Sequence, residues 1–89
     1  MAPPPAAGIA HGVAGTVGLA ALLLVLQGPA RGVATGVGSF GIVAAVLFAA
    51  ALMTGVALLL LRRRGIVMAI HAGIAISGYM LLLAWNALG

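Results

Sequence analysis

The sequence predicts an all-α integral membrane protein: three transmembrane helices joined by short loops. Hydrophobic residues make up 65% of its 89 residues, and the mean hydropathy is +1.37. Only 4% of the residues are charged, against about 25% in soluble domains. A soluble domain of this size would expose such apolar surface in large patches. We therefore expect a single membrane domain covering residues 1–89.

The first apolar segment predicts a helix over about residues 6–27. It follows three consecutive prolines, which fix φ and lack backbone donors, so that a helix can begin directly after them. About 22 residues with a rise of 1.5 Å each span about 33 Å, enough to cross the hydrocarbon core. No Lys or Arg precedes this segment, so we expect it to be retained and not removed as a signal peptide.

The second helix is predicted over about residues 39–61, after a turn rich in Gly and Pro at residues 27–32. Residues 32–38 contain three of the glycines together with Thr35, and they could form a loop, a frayed helix or an interfacial coil. The polar residues of this second helix are Ser39 and Thr54, whose hydroxyls can bond back to their own backbone.

Three consecutive arginines and Gly65 then form a second turn, because such a charge run is costly at membrane depth. The third helix is predicted over about residues 66–88. Since the apolar sequence resumes at once, helices 2 and 3 should form a tight antiparallel hairpin. Tyr79 is expected to pack within the span, and Trp85 is expected to act as an interface anchor near its end.

The arginines also predict the orientation. By the positive-inside rule the triple-arginine turn and the N-terminus are cytoplasmic, and the C-terminus lies on the opposite side of an inner or intracytoplasmic cell membrane. We interpret all of the arginines as topology determinants that contact lipid headgroups; they are Arg31, Arg62, Arg63 and Arg64.

Several kinds of chemistry are excluded by composition. The chain has no Asp, Glu or Cys, which excludes paired-carboxylate acid–base catalysis, carboxylate-bound calcium or magnesium, disulfides and thiolate metal sites. Four arginines between apolar segments leave no basic face for phosphates. We therefore expect no enzymatic activity, no metal centre of its own and no nucleic-acid partner.

His11 and His71 are the candidate functional residues. Each lies about five residues inside its predicted helix, and helices 1 and 3 run in the same direction, so both imidazoles should lie at a similar depth on the cytoplasmic side. Three interpretations stay open. In the first, the histidines are structural and bond a hydroxyl, a carbonyl or water. In the second, they are axial ligands to haem b or bacteriochlorophyll. In the third, they relay protons, although the chain offers no carboxylate partner for a relay.

Small residues follow each histidine at helical spacing, and they would let another helix or a flat cofactor come close. Gly15 and Gly18 follow His11 in this way, and Ala75 and Gly78 follow His71. Gly8-x-x-x-Gly12 is a separate close-approach motif in the first helix. Packing within the chain and packing against a partner both remain open.

One local resemblance concerns the ligand interpretation. Ala7-x-x-x-His11 resembles the Ala-x-x-x-His pattern of light-harvesting polypeptides over these few residues, whereas Val67 stands at the corresponding place before His71. The resemblance implies chlorophyll-type magnesium ligation by His11. In the haem interpretation, the arginines at 62–64 would lie near propionates or lipid phosphates.

The function predicted from these features is that of a small accessory subunit. It would fill or stabilise the transmembrane region of a larger energy-transducing complex, photosynthetic or respiratory, with lipids, pigments or quinone nearby and no cofactor of its own. The alternatives are a haem-b electron carrier that uses His11 and His71, and a self-assembling pore or holin-like protein. Against a pore, no predicted helix carries a sustained polar stripe.

Overall fold

The computed structural model describes residues 6–60 and 64–89. The described chain forms three helices, α1 (Ala6–Leu26), α2 (Phe40–Leu60) and α3 (Arg64–Leu88). Each is long and apolar enough to cross a membrane. The all-helical fold class is therefore confirmed. Helix α3 begins two residues earlier than predicted, and the predicted end of the second helix at residue 61 lies outside the described residues.

The segment between α1 and α2 is an ordered loop and not an extension of α2. Gly32 and Gly36 adopt positive φ angles of 78° and 79°, which residues with a Cβ atom rarely adopt. The amide of Val37 donates to the Gly32 carbonyl at 2.9 Å, and the Val37 side chain is buried. The Thr35 hydroxyl donates to the carbonyl of Leu88 at 2.8 Å. This bond ties the loop to the end of α3.

Helices α2 and α3 pack in opposite directions through three levels of contact. At every level a glycine of one helix faces a ring of the other, and successive levels are seven residues apart on both helices. Counted from the start of α2, the levels are Gly41 with Trp85, Phe48 with Gly78, and Gly55 with His71. A seven-residue repeat with large and small residues facing each other is typical of left-handed packing of antiparallel helices.

The glycines make this close approach possible. A Cβ atom at Gly41 would lie 2.8 Å from Cε2 of Trp85 and 2.9 Å from Cδ2 of Leu26, and one at Gly78 would lie 3.3 Å from Cε1 of Phe48. Distances below 3.0 Å require a neighbour to move. A bulkier residue at position 41 would therefore displace the side chain of Trp85 or Leu26.

The core lies at the end of the molecule that carries the α1–α2 loop. Its members are buried apolar side chains from all three helices and from the loop, namely Leu22, Val37, Ala44, Ala45 and Trp85. Helix α1 packs on α2 here, whereas no Cα atom of α1 lies within 8 Å of one in α3 over the described residues. The backbones of α1 and α3 thus stand apart, and a crevice lies between the two helices.

Candidate functional site

His71 is anchored to α2 through Nδ1. This atom lies 2.8 Å from the carbonyl oxygen of Ala51 and 3.0 Å from Oγ1 of Thr54. A carbonyl oxygen only accepts hydrogen bonds, so Nδ1 carries the hydrogen and donates it. The other ring nitrogen, Nε2, then has its lone pair available. This contact agrees with the structural interpretation of His71, and it does not involve Nε2.

Thr54 and Gly55 of α2 contact the His71 ring and position it. The sequence analysis did not identify either residue as part of the site. Thr54 bonds back to its helix, as predicted, with Oγ1 lying 3.0 Å from the carbonyl oxygens of Ala50 and Ala51. The same hydroxyl also contacts His71. A Cβ atom at Gly55 would lie 3.1 Å from Cε1 of His71, so only glycine leaves the ring this position without a displacement.

His11 lies on α1, on the far side of the crevice from α2 and α3. The centroids of the His11 and His71 rings are 6.3 Å apart, and the ring planes are nearly perpendicular, at 85°. His11 is exposed, whereas His71 is half-buried. The two histidines that lie 60 residues apart in the sequence are thus neighbours in space, at one level of the helix bundle.

A cavity of about 150 Å³ lies between these histidines. Small residues of α1 and α3 form two of its walls, and apolar side chains of α2 form its floor. Besides the histidines, its lining residues are Gly12, Gly15, Phe48, Ala51, Leu52 and Ala75. The site therefore combines two imidazoles with apolar surroundings and little side-chain bulk.

A second groove of about 390 Å³ lies along α1 and α2, and it shares Gly12 and Leu52 with the cavity between the histidines. Both glycines of the close-approach motif line it, and its other lining residues are Ile9, Val13, Thr16, Val17, Leu52, Val56 and Leu59. The Thr16 hydroxyl donates to the carbonyl of Gly12 at 2.8 Å, which satisfies this polar group within α1. The groove is thus apolar in character and open to its surroundings. We call it the α1–α2 groove.

The small residues predicted for helix packing fall into two groups. A Cβ atom at Gly12, Gly15 or Gly18 would meet nothing within 4 Å, so these glycines of α1 do not pack against the described part of the chain. Gly78, in contrast, packs against Phe48 and Leu47 of α2. The glycine face of α1 is therefore unfilled, whereas on the corresponding face of α3 Gly78 is covered by α2 and Ala75 lines the cavity.

Trp85 lies inside the helix bundle and not on its surface. Its side chain is only 5% exposed, and its Nε1 donates to the carbonyl oxygen of Arg31 at 3.2 Å. The guanidinium carbon of Arg31 lies 5.2 Å from the centroid of the indole, within the range of a cation–π contact. Both residues also line a cavity of about 310 Å³ between α1 and α3.

The remaining predicted residues are placed as follows. Arg62 and Arg63 lie outside the described residues, and Arg64 begins α3. Tyr79 is exposed on α3. Over residues 6–60 and 64–89, no group of three or more His, Cys, Asp or Glu side chains lies close enough to hold a metal ion.

Comparison of the chain with protein-family models, with curated proteins and with solved structures gives no match.

Proposed function

We propose that this chain is a non-catalytic accessory subunit of a larger energy-transducing membrane complex, photosynthetic or respiratory. In this proposal the three helices cross an inner or intracytoplasmic membrane, and α2 and α3 form a tight hairpin whose arginine turn faces the cytoplasm. The role of the subunit is to occupy and stabilise a gap among the transmembrane helices of its host.

The observation that carries this proposal is the α1–α2 groove. Transmembrane helices associate where small residues let backbones come close, since lipid supplies no hydrophobic force between them. Gly8 and Gly12 line the groove four residues apart, which places them on one face of α1. An apolar groove lined by small residues can receive a helix of a partner protein.

The incomplete packing of α1 supports the same proposal. Of the other two helices, only α2 has Cα atoms within 8 Å of those of α1 over the described residues, and the glycines at positions 12, 15 and 18 have open space beside them. Glycine costs about 1 kcal/mol relative to alanine in a helix. Four glycines from Gly8 to Gly18 therefore weaken α1 as an isolated helix, and contacts with a partner would offset this cost.

An energy-transducing host is favoured by the His11–His71 site. Two imidazoles beside an apolar crevice suit contact with pigments, quinones or haem, which are the mobile and bound cofactors of such complexes.

The experiment is to tag the chromosomal copy, extract the membranes gently and measure the native size of the tagged protein. We expect it to migrate with a complex several times its own mass. Gly8→Leu should release it from that complex, because the leucine fills the α1–α2 groove. Gly73→Leu is the matched control, since Gly73 on α3 has nothing within 4 Å of a Cβ atom.

Two outcomes would contradict the proposal. In one, the wild-type protein migrates only as a free monomer. In the other, Gly8→Leu and Gly73→Leu remain associated to the same extent as the wild type, which would show that the α1–α2 groove is not the docking surface.

A further inference from the structure

We infer that His11 and His71 are a pair of axial ligands for a planar metal tetrapyrrole of the haem type, bound in the crevice between α1 and α3. The inference goes beyond the accessory role and does not depend on it. Partner docking uses the α1–α2 groove, whereas the ligand site lies between α1 and α3. Gly12 and Leu52 border both, so each is tested at residues that border only one: Gly8 for the groove, and His11 and His71 for the ligand site.

The side chains available for coordination indicate that the bound group is a metal tetrapyrrole. The chain contains two histidines and no Cys, Asp or Glu. A bare transition metal held by two imidazoles would lack the further protein ligands that stable sites provide, usually at least three. A tetrapyrrole supplies four equatorial nitrogens itself, so its iron needs two axial ligands, for which neutral imidazole is well suited. Because the chain has no cysteine, the macrocycle would be held without covalent attachment.

The separation of the rings agrees with this coordination. Two imidazoles bound end-on to opposite sides of one metal have centroids about 6 Å apart, since each metal–nitrogen bond is about 2 Å and each centroid lies about 1 Å beyond its nitrogen. The observed separation is 6.3 Å. The nearly perpendicular ring planes are one of the orientations in which both rings can point a nitrogen at a shared metal.

The hydrogen bonding of His71 resembles that of metal-ligating histidines. Such histidines almost always donate the hydrogen of one ring nitrogen to a carbonyl or carboxylate, which fixes the ring and makes the other nitrogen the ligand. In His71, Nδ1 donates to the Ala51 carbonyl, and Thr54 contacts the same atom. Nε2 is therefore the ligating atom. The backbone of α2 at Gly55 packs against the His71 ring and limits its movement.

The crevice gives a flat macrocycle room to enter. Gly12, Gly15 and Ala75 line the cavity with little side-chain bulk. The rim of a tetrapyrrole extends beyond a cavity of about 150 Å³, and it would lie between the backbones of α1 and α3, which have no Cα atoms within 8 Å of each other over the described residues. Phe48 and Leu52 supply apolar contact on the α2 side.

The test is a titration of the full-length chain, purified in mild detergent, with haemin. We expect one haemin per chain and the absorption spectrum of six-coordinate, low-spin iron. The electron paramagnetic resonance spectrum should be the strongly anisotropic low-spin signal of perpendicular imidazole planes. His11→Gly and His71→Gly should each abolish the six-coordinate spectrum, and free imidazole should restore it, while circular dichroism shows unchanged helix content.

Three outcomes would overturn the inference. Haemin that stays high-spin, with a spectrum identical in the wild type and both variants, shows partition into detergent and no site. A low-spin spectrum that survives His11→Gly shows that the pair is not the ligand set. Binding of Ni²⁺ that depends on both histidines, without haemin binding, shows a bare-metal site.

Discussion

Gly55 and His71 lie against each other, each eight positions from residue 63 in the chain. Phe48 and Gly78, which also face each other, are each fifteen positions from residue 63. Gly41 and Trp85 are each twenty-two positions from it. The level at which His71 lies is thus one step of a regular glycine–ring packing between α2 and α3. His71, the candidate metal ligand, is therefore positioned by the same seven-residue packing repeat that joins α2 and α3.

Gly55→Ala should displace the His71 ring. The new methyl group would lie 3.1 Å from Cε1, and the ring cannot move freely because its Nδ1 is bonded to Ala51. We expect a loss of about 1–3 kcal/mol in stability, as for other overpacked sites, and weaker haemin binding. Thermal unfolding in detergent and haemin titration measure the two effects.

Gly73→Ala is the control for this substitution. Gly73 lies on α3 with open space beside it, so alanine should be neutral or stabilising there, in line with its higher helix propensity. Equal effects of Gly55→Ala and Gly73→Ala would show that the contact of Gly55 with His71 has no special role.

Thr54→Val should loosen His71 without unfolding the chain. Valine keeps the shape of threonine and removes the hydroxyl that lies 3.0 Å from Nδ1. Loss of such a supporting contact typically lowers ligand affinity by about 10- to 100-fold. We expect the lower end of that range, since the Ala51 carbonyl still accepts the hydrogen bond. A changed nitrogen-15 resonance of the His71 imidazole provides a readout that does not need a bound ligand.

Thr16→Val is the matched variant on α1. The Thr16 hydroxyl bonds the carbonyl of Gly12 in its own helix, so its removal should leave both the His71 resonance and haemin affinity unchanged. If Thr16→Val weakened haemin binding as much as Thr54→Val, the effect would be a general one on the helices.

Gly41→Ala should destabilise the core at the other end of the bundle. Its Cβ atom would lie 2.8 Å from the indole of Trp85 and 2.9 Å from Leu26, and relief requires the indole or α1 to move. We expect a loss of about 1–3 kcal/mol. Trp85 is the only tryptophan in the chain, so its fluorescence follows unfolding directly. Gly18→Ala, which meets nothing within 4 Å, should leave the unfolding curve unshifted or move it to higher stability.

Cysteine labelling tests the proposed orientation, because the chain has no cysteine of its own. In intact cells, a membrane-impermeant maleimide should label Ala30→Cys but not Ala6→Cys. Replacing the three arginines at 62–64 with glutamine should reverse this pattern, since Arg31 would then carry the remaining positive charge. Labelling of Ala6→Cys from outside in the wild-type background would contradict the orientation.

The helices themselves could be predicted from the sequence because apolar length is a strong signal. The described helix ends lie within about two residues of the predicted ones, and the two histidines were expected at one level. The sequence itself predicted that the second and third helices are antiparallel, and in such a pair residues at equal distances from residue 63 are expected to be neighbours. That reasoning would have placed Gly55 beside His71.

The placement of α1 and the burial of Trp85 could not be predicted from the sequence. Nothing in the sequence of α1 says that it packs on α2 and stands apart from α3, because its glycines permit close approach on several faces. The burial of Trp85 was also missed. An indole near a helix end suits the membrane interface, and only the folded loop, with its Arg31 carbonyl, supplies the partner that draws Nε1 inward.

The native size of the tagged protein, extracted gently from its own membrane, tests the central claim most directly. We expect the wild type to migrate with a larger complex and Gly8→Leu to migrate as the free chain. Migration of the wild type as the free chain alone would contradict the account.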